Sequence, residues 1–262
     1  LLDLDMPRLG GRELLARIRG NPRLAMIPVI ILSGDSAPQE QALEFSLGAD
    51  DFISKPFNAQ DLVSRVESAA RRNRRMLSAN PLTFLPGGPA IEEDARRRIK
   101  EGGPLAFFYI DIDNFKAYND NYGYLNGDTA IKCVAGLLTG MENDFAAEDI
   151  FVGHIGGDDF VVMANPRKTE EMALAIATGF DAMSPGFYNE ADRARRFIVS
   201  KDRSGETREF PLMTLTIAIA TNEKRALDHY AKIVDISSEM KRYMKNLKNR
   251  AGSMYLKDRR RD

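Results

Sequence analysis

Apolar and polar positions along this chain change rhythm several times. Over residues 1–57, short apolar runs alternate with helical patterns. "LLD" at the start reads as a strand end, and "GRELLARIR" (11–19) has apolar residues at helical spacing. "IPVIILSG" (27–34) is a continuous apolar run, as in a parallel strand buried on both faces. A helix around 38–47, a turn "GAD" (48–50) and a strand "DFIS" (51–54) follow, giving part of a doubly wound α/β domain. From 59 to 78 one helical pattern takes over. Val63, Val66, Ala70, Asn73 and Leu77 fall at 3–4–3–4 spacing, which fits a terminal helix on its own domain or a dimerising linker. "NPLTFLPGGP" (80–89) is loop punctuation, so the expected division is 1–57, a helix and linker over 58–79, and a second domain over 80–262.

The second domain is also α/β. It reads as a helix (91–101), a buried strand "LAFFYIDID" (105–113) ending in carboxylates, a helix around 128–138, and two strands in "FVGHIGGDDFVVM" (151–163). A strand "PLMTLTIAIAT" (211–221) and a final helix over 232–248 close the chain. The charged stretch 180–210 yields no assignment.

Composition narrows the function classes. The 262 residues are 44% hydrophobic and 29% charged with a net charge of −1, so no bulk attraction to nucleic acid or membrane is expected. The basic cluster "RRNRR" (71–75) reads as a solvated face. A single cysteine, Cys133, excludes an intramolecular disulfide and fits a reducing, cytoplasmic setting. No apolar run approaches the ~18 residues of a membrane span. Because the chain opens on Leu1 in mid-strand, the natural N-terminus is expected to lie further upstream.

Two sets of residues carry chemistry. Asp3, Ser33 and Lys55 each follow an apolar strand, and in parallel sheets the carboxyl ends of strands gather ligands. A carboxylate beside a hydroxyl and an ammonium can accept a phosphoryl group and hold its oxygens. The strings "LLDLDMPRLGG", "ILSGDS" and "GADDFISKPF" resemble the last three strand ends of response regulator receiver domains. The resemblance implies that Asp3 is phosphorylated by a sensor histidine kinase. It passes over Asp5, because the family places the acceptor four residues before the proline, here Pro7. It makes Ser33 and Lys55 the phosphate-sensing pair and Phe52 the switching aromatic.

The second set centres on "GHIGGDDF" (153–160). The glycine pair permits a tight hairpin, and the two aspartates leave open a plain turn or a phosphate-and-metal site. Asp111, ending another apolar segment, could lie beside Asp158, and paired carboxylates suit Mg²⁺. "DIDNFKAYNDNYGYLNGD" (111–128) with "GGDDF" resembles the GGDEF domain of diguanylate cyclases, whose α/β fold is of the ferredoxin-like palm type. By that resemblance Asp158 and Asp159 are catalytic. Asp111, Asp158 and the Ile112 carbonyl hold Mg²⁺, and Lys116, Asn119, Asp128, Gly156, Gly157 and Lys245 bind GTP. It further implies a homodimer that joins two GTP into cyclic di-GMP, releasing two pyrophosphates under control of receiver phosphorylation. The alternative is a degenerate GGDEF domain that binds GTP as a signalling module without catalysis.

The chain departs from that family in places. Asp159 replaces a glutamate, His154 replaces the usual arginine and is given no role, and the late strand has Ala218 where glycine is usual. The window beginning at Ala147, "AEDI", lacks the arginine of the family's product-inhibition site, so feedback through that site is not expected.

Overall fold

The computed structural model describes all residues except 35–37, 202–204, 248–251 and 262, and the side chains of 40, 41 and 75. The chain divides into two compact units, Leu1–Leu77 and Ser78–Asp262.

In the first unit, β1 (Leu2–Asp3), β2 (Ile30–Ser33) and β3 (Asp51–Ser54) form a parallel sheet in that order. The helices α1 (Gly11–Gly20) and α2 (Pro38–Ser46) connect them, and α3 (Ala59–Ser78) follows. Parallel pairing demands crossovers, and the helical runs between the strands supply them. Leu2, Leu15, Val29, Ile31 and Phe52 pack on one face of the sheet, and Ile30, Ile53 and Ala69 on the other. The helix α3 therefore faces its own unit through Leu62 and Ala69. The heptad seam of the sequence reading does not coincide with that face: Val63, Val66 and Leu77 are exposed, and Asn73 Nδ2 donates to the Met26 carbonyl at 2.5 Å.

The second unit begins with α4 (Gly88–Glu101), β4 (Ala106–Ile112), α5 (Phe115–Tyr122) and α6 (Tyr124–Asp144). The hairpin β5 (Phe151–Gly156) and β6 (Asp159–Ala164), α7 (Thr169–Met183) and α8 (Glu190–Arg195) come next. A second hairpin of β7 (Phe197–Lys201) and β8 (Thr207–Pro211) precedes β9 (Leu215–Thr221), α9 (Tyr230–Lys245) and β10 (Met254–Lys257). Five strands make one sheet in the order β10-β9-β4-β6-β5, with β4 antiparallel to both neighbours. Because side chains alternate across a strand, β4 sends Phe108 and Ile110 to one core with α6 and α7. It sends Phe107 and Tyr109 to the other core, where Ile233, Ile236 and Met240 of α9 pack.

Several expected boundaries move. The run 211–221 is broken: Pro211 ends β8, three residues outside any element follow, and β9 starts only at Leu215. The helix expected around 128–138 extends from Tyr124 to Asp144. The expected end of the last helix, at 248, lies outside the described residues. The unassigned stretch 180–210 holds the end of α7, a 3-10 turn, α8 and the β7–β8 hairpin. Among the described residues no helix is long and apolar enough to cross a membrane.

Candidate functional site

The period of two in β4 decides where the carboxylates go. Asp111 lies on the same face as Tyr109 and Phe107, the face covered by α9. Its antiparallel partner on β6 is Asp159, and directly opposed residues share a face. Asp158 occupies the turn between β5 and β6, and its carbonyl accepts the Ile112 N–H at 3.2 Å. Carboxylate oxygens of Asp111, Asp158 and Asp159 thus come within 4.8 Å of one another. The turn itself needs glycine, since Gly157 has φ 59° and Gly156 φ 147°.

Two lysines one turn apart on α9 meet this cluster. Lys241 Nζ is 2.6 Å from Asp111 and 2.7 Å from Asp159, and Lys245 Nζ contacts Asp111 as well. Burial raises the Asp111 carboxyl, but hydrogen bonds from both lysines outweigh it and hold the group below its usual range. Burial opposes the charge on Lys241, yet the two carboxylates keep its ammonium strongly favoured. Asp158 and Asp159 shift upward, first through burial and then, for Asp158, through the charge of Asp111. Asp113, adjacent in sequence, is different: it accepts from Thr214 Oγ1 at 3.0 Å and from Thr216 Oγ1 at 2.8 Å, which makes it a structural carboxylate.

Beside the carboxylates lies a cavity of about 240 Å³. Ile112, Lys116, Asp158 and Lys245 line it, so four of the sequence-selected residues meet at one cavity. Asn119 on α5 lies against Gly127 of α6, the residue next to Asp128 in sequence. Asn119 Oδ1 is buried without a hydrogen-bond partner among the described residues, and it would lie 1.9 Å from a Cβ placed on Gly127. Any side chain at 127 would displace it.

His154, to which the sequence reading gave no role, braces the turn. Its ring is buried and stacks on Phe160 with centroids 4.2 Å apart. The Gly157 carbonyl can only accept, so His154 Nε2 donates to it, at 3.0 Å, and Nδ1 accepts from the Thr83 hydroxyl, also at 3.0 Å. Burial lowers the histidine pKa and favours this neutral form. Thr83→Val keeps the shape but strips the buried Nδ1 of its donor. It is expected to destabilise the protein by about 1 kcal/mol, read from urea unfolding, and an unchanged unfolding midpoint would refute the brace.

In the first unit the register places Asp3 beside Leu32 and Ser33 beside Ser54, so Asp3, Ser33 and Lys55 gather at one sheet edge. Lys55 Nζ hydrogen-bonds Asp3 Oδ2, and the backbone N–H of Asp5 donates to Asp3 Oδ1 at 3.1 Å. The Lys55 bond, followed by that backbone N–H, holds the Asp3 carboxyl below its ordinary value. Ser33 and Phe52 are buried.

Comparison with known proteins agrees with this layout. Residues 1–67 match the family model for the response regulator receiver domain, and residues 81–200 that for the diguanylate cyclase, GGDEF domain. The chain is a receiver domain followed by a GGDEF domain. It is 36% identical over 115 residues to the diguanylate cyclase DgcP of Pseudomonas aeruginosa, covering 40% of this chain and 16% of that protein. It is 30% identical over 128 residues to the diguanylate cyclase VdcA of Vibrio cholerae, covering 48% of this chain and 36% of that protein. The chain thus spans well under two thirds of either relative. The crystal structure of the coiled coil and GGDEF domain of DgcB from Caulobacter crescentus, in complex with c-di-GMP, shares the fold. Its TM-score is 0.52 at 19% identity, over 82% of this chain and all of that one.

The sequence reading missed Lys241. The signal was present as a lysine one helical turn before Lys245, on the same face of the last helix.

Proposed function

We propose that this protein is a diguanylate cyclase whose output is governed by phosphorylation of Asp3. The observation that carries the proposal is the cluster of Asp111, Asp158 and Asp159 beside a Gly-Gly turn and a lysine-lined cavity. An all-oxygen, carboxylate-rich donor set fits a hard divalent cation such as Mg²⁺. Asp111, Asp158 and the Ile112 carbonyl would hold it. When bound, the ion supplies Lewis acidity that favours the 3′-alkoxide and offsets charge on the leaving pyrophosphate.

The chain's own residues do the rest. Lys116 and Lys245 bind phosphate oxygens, and Gly156 and Gly157 let the triphosphate approach the backbone. Lys245 and Lys241 lie on the carboxylates as counter-ions, a position from which each can turn to phosphate. The unpartnered Asn119 Oδ1 and the carboxylate of Asp128 accept guanine N–H groups, which selects GTP. Asp159 faces the charge that develops at the attacking 3′-oxygen. Each 3′-oxygen forms a bond to the other nucleotide's α-phosphorus while the bond to pyrophosphate breaks. Two GTP thereby give cyclic di-GMP and two pyrophosphates. One domain binds one GTP, so two copies must face each other, and the exposed seam of Val63, Val66 and Leu77 on α3 supports a homodimer. A sensor histidine kinase would supply the phosphoryl group, in the cytoplasm.

One observation favours a second reading, a GTP-binding module without turnover: the short Asp159 side chain is tied to Lys241. Incubating the chain with GTP and Mg²⁺ and separating the nucleotides decides between them. Cyclic di-GMP is expected; bound GTP without product would leave only the second reading.

For the receiver, acetyl phosphate is expected to add one phosphoryl group to wild type and none to Asp3→Asn, as read by intact mass. Modification of Asp5 would overturn the assignment.

A further inference from the structure

The β7–β8 hairpin, which the sequence left unassigned, reaches the candidate nucleotide cavity. Lys201 at the end of β7 and Phe210 on β8 line it together with Lys116, Asp158 and Lys245. The hairpin is fixed in place at its base. Ile198 is fully buried in the main core, and its cross-strand partner Phe210 packs against that core. Asn114, in the loop between β4 and α5, donates its Nδ2 to the Pro211 carbonyl at 3.2 Å. Lys201 therefore stands on an anchored strand that packs beside α5, the helix that carries Lys116.

The charges in the lining explain what such a residue could meet. Lys245 is committed to Asp111. Lys116 and Lys201 have no ion pair among the described residues, although Asp158 and Asp120 line the same cavity. Two uncommitted ammonium groups lining one small cavity suit a polyanion better than a neutral ring. We infer that Lys201 is a positioning residue that binds the polyphosphate of the nucleotide from the hairpin side, with Phe210 seating the strand that carries it. This rests on the proposal that the site takes GTP. It gives the hairpin a function: the hairpin adds a cation to those that α5 and α9 bring to the phosphate end of the site.

The test is calorimetric titration of the chain with a non-hydrolysable GTP analogue and, separately, with guanosine, in Mg²⁺ at two salt concentrations. Lys201→Gln is expected to weaken the analogue by roughly three- to tenfold, the range of one partly solvated charge contact. Guanosine binding should stay unchanged, the salt dependence should become shallower, and Lys201→Arg should bind like wild type. An unchanged thermal midpoint separates this loss from unfolding. Wild type and Lys201→Gln binding the analogue equally, or Lys201→Gln losing guanosine and analogue in the same proportion, overturns the inference and leaves the GTP reading intact. Wild type failing to bind the analogue at all overturns both.

Discussion

Asp158→Asn is expected to lower cyclic di-GMP formation by on the order of 10²–10³-fold, the usual cost of removing one preorganised group that stabilises transition-state charge. The same variant is expected to be at least as stable as wild type when both are unfolded in a metal chelator. The sign follows from the site. Asp158 is raised above the ordinary aspartate value, chiefly by burial and then by the neighbouring Asp111 charge. A carboxyl raised in the folded state binds more protons there than in the unfolded chain, so stability falls as pH rises from the ordinary aspartate value through the raised one. Above both values that penalty is fully present, and a neutral asparagine removes it. Activity and stability should therefore move in opposite directions, as expected where a site is built for binding rather than for folding. A variant that loses both would show Asp158 to be a structural residue of the turn, and the metal assignment would go with it.

How much of this was legible in the sequence depends on where each signal lies. The strand β4 and the β5–β6 hairpin were readable because unbroken apolar runs end in acidic or glycine-rich punctuation. The pairing of Asp111 with Asp159 was not, since it depends on antiparallel register rather than on spacing along the chain. Expectation had paired Asp111 with Asp158, and the structure brings all three carboxylates together. Lys241 carried a local signal, one helical turn before Lys245, but nothing local shows that α9 covers that face of the sheet. The hairpin of β7 and β8 escaped notice because Ile198 alone in it is fully buried, so no clear alternation of apolar and polar positions survives. The break after Pro211 was masked by Leu212 and Met213, apolar residues that belong to neither strand. The buried Met213 N–H is satisfied there by the Tyr188 hydroxyl at 2.8 Å rather than by a strand partner.

Asp159→Glu is the substitution with the largest expected gain. It should raise turnover by roughly an order of magnitude or more and leave GTP affinity within about twofold, because the two quantities rest on different residues. Lys116, Asn119 and Asp128 stand on α5 and α6. Among the described residues none of them shares a hydrogen bond or ion pair with Asp159, whose side chain is held by Lys241 at 2.7 Å across from Asp111. An added methylene extends the carboxylate by roughly 1.5 Å toward the position where the 3′-oxygen loses its proton, and misplacing a catalytic group by about 1 Å costs on the order of 10²-fold. Affinity acts in the ground state, whereas on the proposed reading this group acts as charge develops, so the gain should appear in kcat and not in KM. The measurement is steady-state pyrophosphate release together with direct GTP titration, on wild type and variant as dimers. A rise in kcat with unchanged affinity identifies Asp159 as a shortened but working catalytic carboxylate. If both proteins bind GTP and neither forms cyclic di-GMP, the cyclase reading fails. The Gly-Gly-Asp-Asp turn is then a GTP-binding element that signals without chemistry.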